Sequence, residues 1–340
     1  MERKSVTIRD VAREAGVSVA TVSRYLNNSG YIGKASEEKI KKVMELLDYK
    51  PNEIARGLAK KKTNSIALII PDIKNPFFPE LVVAIEDVAK SKGYSLILVN
   101  AEHEELQNNT FWRTFQNRYV DGFIIASFQF SDKMRDELKG LNIPFVKIDR
   151  AADGDSYNSI EVDNYMGAKL ATEHLIEIGC KKIAHVSGLP ISKPVIERMN
   201  GFVDTIRAHS PDKEILTYEG DFSLDSGMKV TKQILEEHED VDGIFLGNDL
   251  MALGSLKQLQ LLKKKVPEDI AIIGFDGIQL TQMVEPEIST IQQPIYEIGV
   301  KATTNLIDLI ENKSTELMKM VLDVQLVKRG STVGFRGNRE

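Results

Sequence analysis

Within GVSVATVSRYLNNSG, Gly16 to Gly30, four small or polar residues recur at i, i+3, i+4 and i+7: Ala20, Ser23, Arg24 and Asn27. That spacing puts them on one face of a helix, while Val22, Tyr25 and Leu26 share the opposite face and are available to a core. The first face holds no long hydrophobe and carries one guanidinium, chemistry suited to approaching something polar and flat. A second set is scattered: Phe77 and Phe78 in PDIKNPFF, Asp149 after PFVKI, Arg198 in ERMNGF, Phe222 in EGDFS, Asn248 in GNDLMA and Asp276 in FDG. Carboxylates and an amide exchange hydrogen bonds with hydroxyls, arginine offers a fork, and phenyl faces stack. Together they suit a small polar ligand with apolar ring faces, most simply a sugar. Singly, each has a plainer reading: Asp and Asn after strands cap helices, arginines pair with buried carboxylates, and phenylalanines fill cores.

The elements that must hold these residues are legible in outline. Thr7 and Asp10 have the spacing of a capping box, predicting a helix over Ile8 to Ala15. Gly16 then permits a sharp turn and Ser18 can cap the next helix. A third helix is expected from Ser36, with Ile40, Val43, Met44 and Leu47 on one face. The first two have the spacing of a helix-turn-helix, whose second helix enters the major groove of DNA. In YKPNEIARGLAKKKTNS, Pro51 and Asn52 can start a short helix over Glu53 to Lys60 that is marginal alone. It reads either as a basic linker or as a segment that folds on DNA and places Leu58 in the minor groove. From Ser65 onward, apolar runs (SIALII, YSLILV, DGFIIA, PFVKID, then KKIAHVSG, DGIFLG, DIAIIGF) alternate with amphipathic helices. Two such series predict two doubly wound lobes of parallel strands covered on both faces, with ligand-binding residues at the strands' carboxyl ends.

Charge divides the chain in the same place. Residues 1–62 hold 14 Lys and Arg against 8 Asp and Glu, and the remainder 30 against 42, so a basic head precedes an acidic body within a total of −6. A basic compact head is the electrostatic footprint of polyanion binding. The single cysteine, Cys180, excludes an intramolecular disulfide and a cysteine-cluster metal site. With no run of 18 apolar residues and charges throughout MERKSVTIRD, the chain is expected in the cytoplasm. The five histidines lack metal-ligand spacing, and no phosphate-cradling glycine motif, G-x-S-x-G or H-E-x-x-H occurs. No cofactor, metal or catalytic group is expected.

The strings TIRDVAREAGVSVATVSRYLN, YKPNEIARGLA, IIPDIKNPFFPEL, VDNYMGAKLATEHLIEIG, FLGNDLMALG, VPEDIAIIGFDG and ISTIQQP occur in the order of the LacI/GalR family of bacterial transcription regulators, which the whole chain resembles. The resemblance implies an all-α helix-turn-helix head (1–50), a hinge helix and linker (51–64), and a periplasmic-binding-protein-like core (65–340). The core would have an N-lobe of about 65–162 and 292–320 and a C-lobe of about 163–291 and 321–335. It implies a homodimeric repressor on a pseudo-palindromic DNA operator, controlled by a sugar or sugar phosphate. Ser18, Val19, Ala20, Thr21, Ser23, Arg24 and Asn27 would lie in or beside the major groove, Thr7, Tyr49 and Asn52 on phosphates, and Ala55 and Leu58 in the minor groove. Phe77, Phe78, Asp149, Arg198, Phe222, Asn248 and Asp276 would contact the effector. Gly277 stands where the family often has a second aspartate, and no leucine heptad follows KRGSTVGFRGNRE, so a dimer is expected. Two alternatives stand beside this reading. One is a corepressor-dependent regulator answering a nucleobase or a phosphocarrier protein. The other is a sugar-binding or sugar-processing protein with an incidental basic head.

Overall fold

The computed structural model describes residues 6–27, 29–49, 62–101, 103–115, 120–126, 132–149, 157–189, 192–313 and 316–335. The chain divides into two units, Met1–Thr63 and Asn64–Glu340. The first holds α1 (Ile8–Ala15), α2 (Val19–Asn27) and α3 (Lys34–Leu46). Thr7 donates its backbone N–H and its hydroxyl to the Asp10 carboxylate at 3.0 and 2.7 Å, which starts α1. Gly16, at φ 65, ends it in the left-handed region that favours glycine. The Ser18 hydroxyl then accepts from Thr21 N at 3.1 Å and starts α2. Val11, Ala12, Ala15, Val22 and Ile40 form the small core, with Tyr25, Leu26 and Tyr49 packed at its margin. α3 begins two residues before the expected Ser36, because the Gly33 carbonyl accepts from Ser36 N and Glu37 N at 2.8 and 3.1 Å. Asn52, Ala55 and Leu58, in the expected hinge, lie outside the described residues.

The second unit contains two six-stranded sheets. β1 (Ser65–Ile70), β2 (Ser95–Asn100), β3 (Gly122–Ile125), β4 (Phe145–Ile148), β5 (Asn158–Val162) and β11 (Lys319–Leu322) are all parallel, in the order β11-β5-β4-β3-β1-β2. β6 (Ile183–Ser187), β7 (Leu216–Glu219), β8 (Gly243–Leu246), β9 (Ala271–Asp276), β10 (Ser289–Gln292) and β12 (Gln325–Val327) form the other, in the order β12-β10-β9-β8-β6-β7. Only β12 departs from the expected parallel arrangement. It pairs antiparallel with β10 because the chain returns to this sheet directly after β11, without a crossover helix. β2 also differs from expectation: as an edge strand it leaves Ile97 and Leu98 exposed rather than covered.

The helices of the second unit that position the residues discussed below are α4 (Phe77–Ser91), α8 (Asn164–Glu177), α9 (Lys193–His209), α10 (Leu224–Glu237), α11 (Asp249–Leu261) and α12 (Ile295–Ile310), with α5 (His103–Leu106), α6 (Asn109–Arg113) and α7 (Asp132–Leu141) between β2 and β4. α4 begins at Phe77, so Phe77 and Phe78 stand in its first turn. The chain crosses between sheets after Val162, after Gln292 and after Leu322, the last inside neither strand but two residues beyond the expected 320 boundary, which would cut β11. In each sheet the first strand, β1 or β6, has neighbours from both directions of winding. The two carboxyl-end crevices at these switch points are where such sheets bind ligands.

Candidate functional site

The carboxyl ends of both sheets line one cleft of about 550 Å³, its open mouth included. Asn75, Phe77 and Phe78 follow β1, Ala126 follows β3, Ile148 ends β4 and Asp149 follows it. From the other sheet come Ser192, Pro194, Val195 and Arg198 after β6, Phe222 after β7, Asn248 after β8, Asp276 at the end of β9 and Gln293 after β10. All seven residues expected at the cleft are there. Asn75, Ser192 and Gln293 are added polar members.

Arg198 sits at the centre of the polar half. Its guanidinium carbon lies 3.6 Å from the centroid of the Phe275 ring. Nε donates to Asn164 Oδ1 at 2.9 Å, Nη1 donates to the Gly247 carbonyl at 2.6 Å, and Nη1 stands 4.0 Å from Asp276 Oδ1. Asp276 Oδ1 also accepts from Gln293 Nε2 at 2.7 Å. Burial pushes the Asp276 carboxyl up to about 6, against the pull of Arg198. Burial likewise raises Asp149, opposed by Lys147 and Arg198.

Asp249, which does not line the cleft, is the residue that sequence reasoning missed. Its Oδ2 accepts from Gly277 N and Ile278 N at 2.7 and 2.8 Å, and its Oδ1 from the Thr290 hydroxyl at 2.7 Å. It thereby ties the turn after Asp276 to β10. Burial, and then the neighbouring Asp276 charge, raise its carboxyl well above the usual range. The signal was present one residue after Asn248 in GNDLMA, and Gln293 stood in ISTIQQP, but nothing local says what either touches.

Three cleft residues hold a positive φ that costs a side-chain-bearing residue roughly 1–3 kcal/mol: Asp149 at 87, Phe222 at 69 and Asp276 at 121. Phe222, the bulky one, lays its ring where a Cβ on Gly188 would stand. Asn248 fixes its backbone, donating Nδ2 to the Phe222 carbonyl at 3.0 Å while Oδ1 accepts from Met251 N at 2.9 Å. Asn248 is therefore a helix cap and a cleft residue at once, with one amide hydrogen left to offer. Phe77 and Phe78 meet edge to face at 5.2 Å between centroids and close the opposite wall.

In the head, Ser18, Val19, Ala20 and Arg24 are exposed, and Thr21, Ser23 and Asn27 are half-buried. Asn27 Nδ2 donates to the Ser23 carbonyl at 2.8 Å, so two members of this face are already bonded together. Burial raises the Tyr49 phenol. Among the described residues no His, Cys, Asp and Glu group could hold a metal, and no helix is long and apolar enough to cross a membrane.

Comparison with known proteins places both units. Residues 7–52 match the family described as bacterial regulatory proteins, lacI family, and residues 63–329 match periplasmic binding proteins and sugar binding domain of LacI family. The ribose operon repressor of Halalkalibacterium halodurans is 40% identical over 328 residues, 96% of this chain and 97% of that one. A lac repressor dimer bound to operator and the anti-inducer ONPF superposes with a TM-score of 0.86 at 28% identity, covering 97% of this chain and 100% of that one. A LacI family regulator from Enterococcus faecium with bound ribose does so at 0.72 and 31% identity, covering 80% and 100%. With a DNA-binding head, a sugar-type cleft between two lobes and relatives that span its full length, the chain belongs to the LacI family of bacterial transcriptional repressors.

Proposed function

We propose that this repressor answers to a neutral, unphosphorylated monosaccharide of pentose size, D-ribose being the first candidate, bound by Phe77, Phe78, Asp149, Arg198, Phe222, Asn248 and Asp276. One observation carries the choice of a neutral ligand over a sugar phosphate. Arg198 is the only cation lining the cleft among the described residues, and its guanidinium is engaged by Asn164, the Gly247 carbonyl and Asp276. Asp149 and Asp276 share that space. A phosphate there would be desolvated beside two carboxylates that share a single cation with it, whereas hydroxyls of a sugar can donate to those same oxygens. The ribose carried by the Enterococcus faecium regulator and the name of the Halalkalibacterium halodurans repressor agree with this chemistry. The site binds its ligand without turnover.

On the DNA side, the exposure of Ser18, Val19, Ala20 and Arg24 supports a reading helix that uses methyl contacts to thymine and one guanidinium bidentate to guanine. Thr21, Ser23 and Asn27 lie beside them, and Thr7 and Tyr49 approach phosphates. A second copy of the chain covers the apolar edge left by Val83, Ile97 and Leu98, since an uncovered edge strand is an aggregation hazard. The dimer works in the cytoplasm, where its operator is. Effector and operator are coupled by ~1–3 kcal/mol, reciprocally.

Thermal shift and calorimetry with D-ribose, D-xylose and ribose 5-phosphate test the ligand class. Ribose at a hundredfold excess over its Kd should stabilise the native protein by ~2.7 kcal/mol, with ribose 5-phosphate inert. Tighter binding of the phosphate than of the free sugar would overturn the reading.

A further inference from the structure

Asn164 is the first residue of α8, directly after the crossover that follows Val162. Asparagine is ordinarily exposed, yet Asn164 is 1% exposed and does not line the cleft. Both ends of its amide are used: Oδ1 accepts from Arg198 Nε at 2.9 Å and Nδ2 donates to the Val162 carbonyl at 3.2 Å. A guanidinium only donates and a carbonyl only accepts, so this orientation of the amide is the one that serves both partners. Two close approaches bring these groups together. A Cβ on Gly167, one turn along α8, would strike the Phe275 ring on which Arg198 lies, and a Cβ on Gly201, one turn along α9, would strike the Tyr165 carbonyl.

Arg198 is thereby held at three points, with Nε on Asn164, Nη1 on the Gly247 carbonyl and its face on Phe275. Nη2 makes no hydrogen bond among the described residues, so it is the part of the fork still open to a ligand. The other end of the Asn164 amide reaches the path between the sheets. Val162 closes β5, and the next residue, Asp163, donates its N–H at 3.1 Å to the carbonyl of Leu322, where the chain crosses for the third time. One amide thus joins the cleft arginine to the place where two of the three crossovers run side by side. Residues at such connections absorb the backbone change when lobes turn against each other. A rotation at the Val162–Asp163 link moves the Val162 carbonyl relative to Asn164 and, through the amide, disturbs the plane of the Arg198 fork.

We propose that Asn164 is a positioning residue that sets the plane of the Arg198 guanidinium for the effector through Oδ1 and ties it to the Val162 crossover through Nδ2. Asn164 acts through Arg198 and does not touch the effector itself. The proposal rests on the neutral-sugar reading above for the ligand used to test it. Its two bonds can be separated by substitution: aspartate keeps an acceptor for Arg198 and loses the donor to Val162, whereas leucine keeps neither.

The test uses the full-length protein. Calorimetry gives the D-ribose Kd, and fluorescence anisotropy gives the affinity for a DNA duplex selected by the wild type from a random library, with and without saturating ribose. Asn164→Leu should weaken ribose about tenfold or more, as for a lost hydrogen bond to a charged group, and reduce the effect of ribose on DNA affinity. Asn164→Asp should bind ribose within about threefold of wild type, its acceptor being retained, yet lose most of the effect of ribose on DNA affinity. A merely structural role would lower both properties together in both variants, in step with the melting temperature. An Asn164→Leu variant with the wild-type ribose Kd would overturn the positioning of Arg198, and an Asn164→Asp variant with the wild-type ribose effect on DNA would overturn the tie to the crossover. Should the leucine variant fail to fold, Asn164→Asp decides alone: retained binding with lost transmission supports the proposal, and any other pairing overturns it. Wild-type protein that binds no ribose would overturn the neutral-sugar reading and this proposal with it.

Discussion

Asp276→Asn should stabilise the ligand-free protein at neutral pH while weakening its response to sugar. Burial raises the Asp276 carboxyl from 3.8 to about 6. Between those pH values the folded chain keeps a proton that the unfolded chain has released. The sign follows: stability falls as pH rises through that interval and is level above about 6. An interval of about two pH units at ~1.36 kcal/mol each makes the ionised group roughly 3 kcal/mol less favourable in the fold than in the unfolded chain. Asparagine has the shape of the neutral acid and keeps an acceptor for Gln293 Nε2, now 2.7 Å from Oδ1. Asp249 benefits as well, since the Asp276 charge that helps raise its carboxyl is gone. The variant should therefore exceed wild type by ~3 kcal/mol at pH 7.5, by about half as much at pH 5, and by almost nothing below about pH 3. Urea unfolding followed by far-ultraviolet circular dichroism at low micromolar protein checks this, the low concentration being needed near the isoelectric point of 5.6. A stability difference that does not change between pH 5 and 7.5, or a variant less stable than wild type at pH 7.5, would refute the electrostatic argument.

Three further outcomes are expected. Asp249→Ala leaves Gly277 N, Ile278 N and the Thr290 hydroxyl without their acceptor; offset by removal of a buried carboxyl, the net loss should be ~2–4 kcal/mol. Ribose affinity should fall with it although Asp249 does not line the cleft, and unchanged unfolding curves would mean the turn is held by other contacts. Gly188→Ala puts a methyl group into the Phe222 ring and should weaken ribose at least tenfold, ~1.4 kcal/mol, by equilibrium dialysis. Arg24→Ala should relax base preference at one operator position at ~1–3 kcal/mol, read by binding to an operator library, whereas equal weakening on every sequence would remove Arg24 from base readout.

The head was the most legible part of the chain, because its signals are local. Thr7 with Asp10, and Gly16, bracket α1 at the residues expected, and the buried stripe of α2 is Val22 with Tyr25 and Leu26 at its margin. The strong apolar strands β1, β3, β4, β6, β8 and β9 were legible for a similar reason, their cores being continuous runs. β5, β7, β10, β11 and β12 were not, since runs of three to five residues such as KMVL and QLV are strands only by virtue of the partner they pair with.

The cleft divides in the same way. Residue type and position after a strand were enough to nominate Phe77, Phe78, Asp149, Arg198, Phe222, Asn248 and Asp276, because parallel sheets present their carboxyl ends to ligands whatever the ligand is. What each one does depends on atoms far off in the chain: Gln293 on Asp276, Asn164 and Gly247 on Arg198, Gly188 under Phe222, Asp249 behind the Asp276 turn. The sequence alone thus determined the class of molecule and nominated seven of the residues that line the cleft. Which carboxylates are raised, which guanidinium bonds are already used and which amide joins the cleft to a crossover were decided only by the tertiary structure, since burial and pairing are properties of neighbours in space.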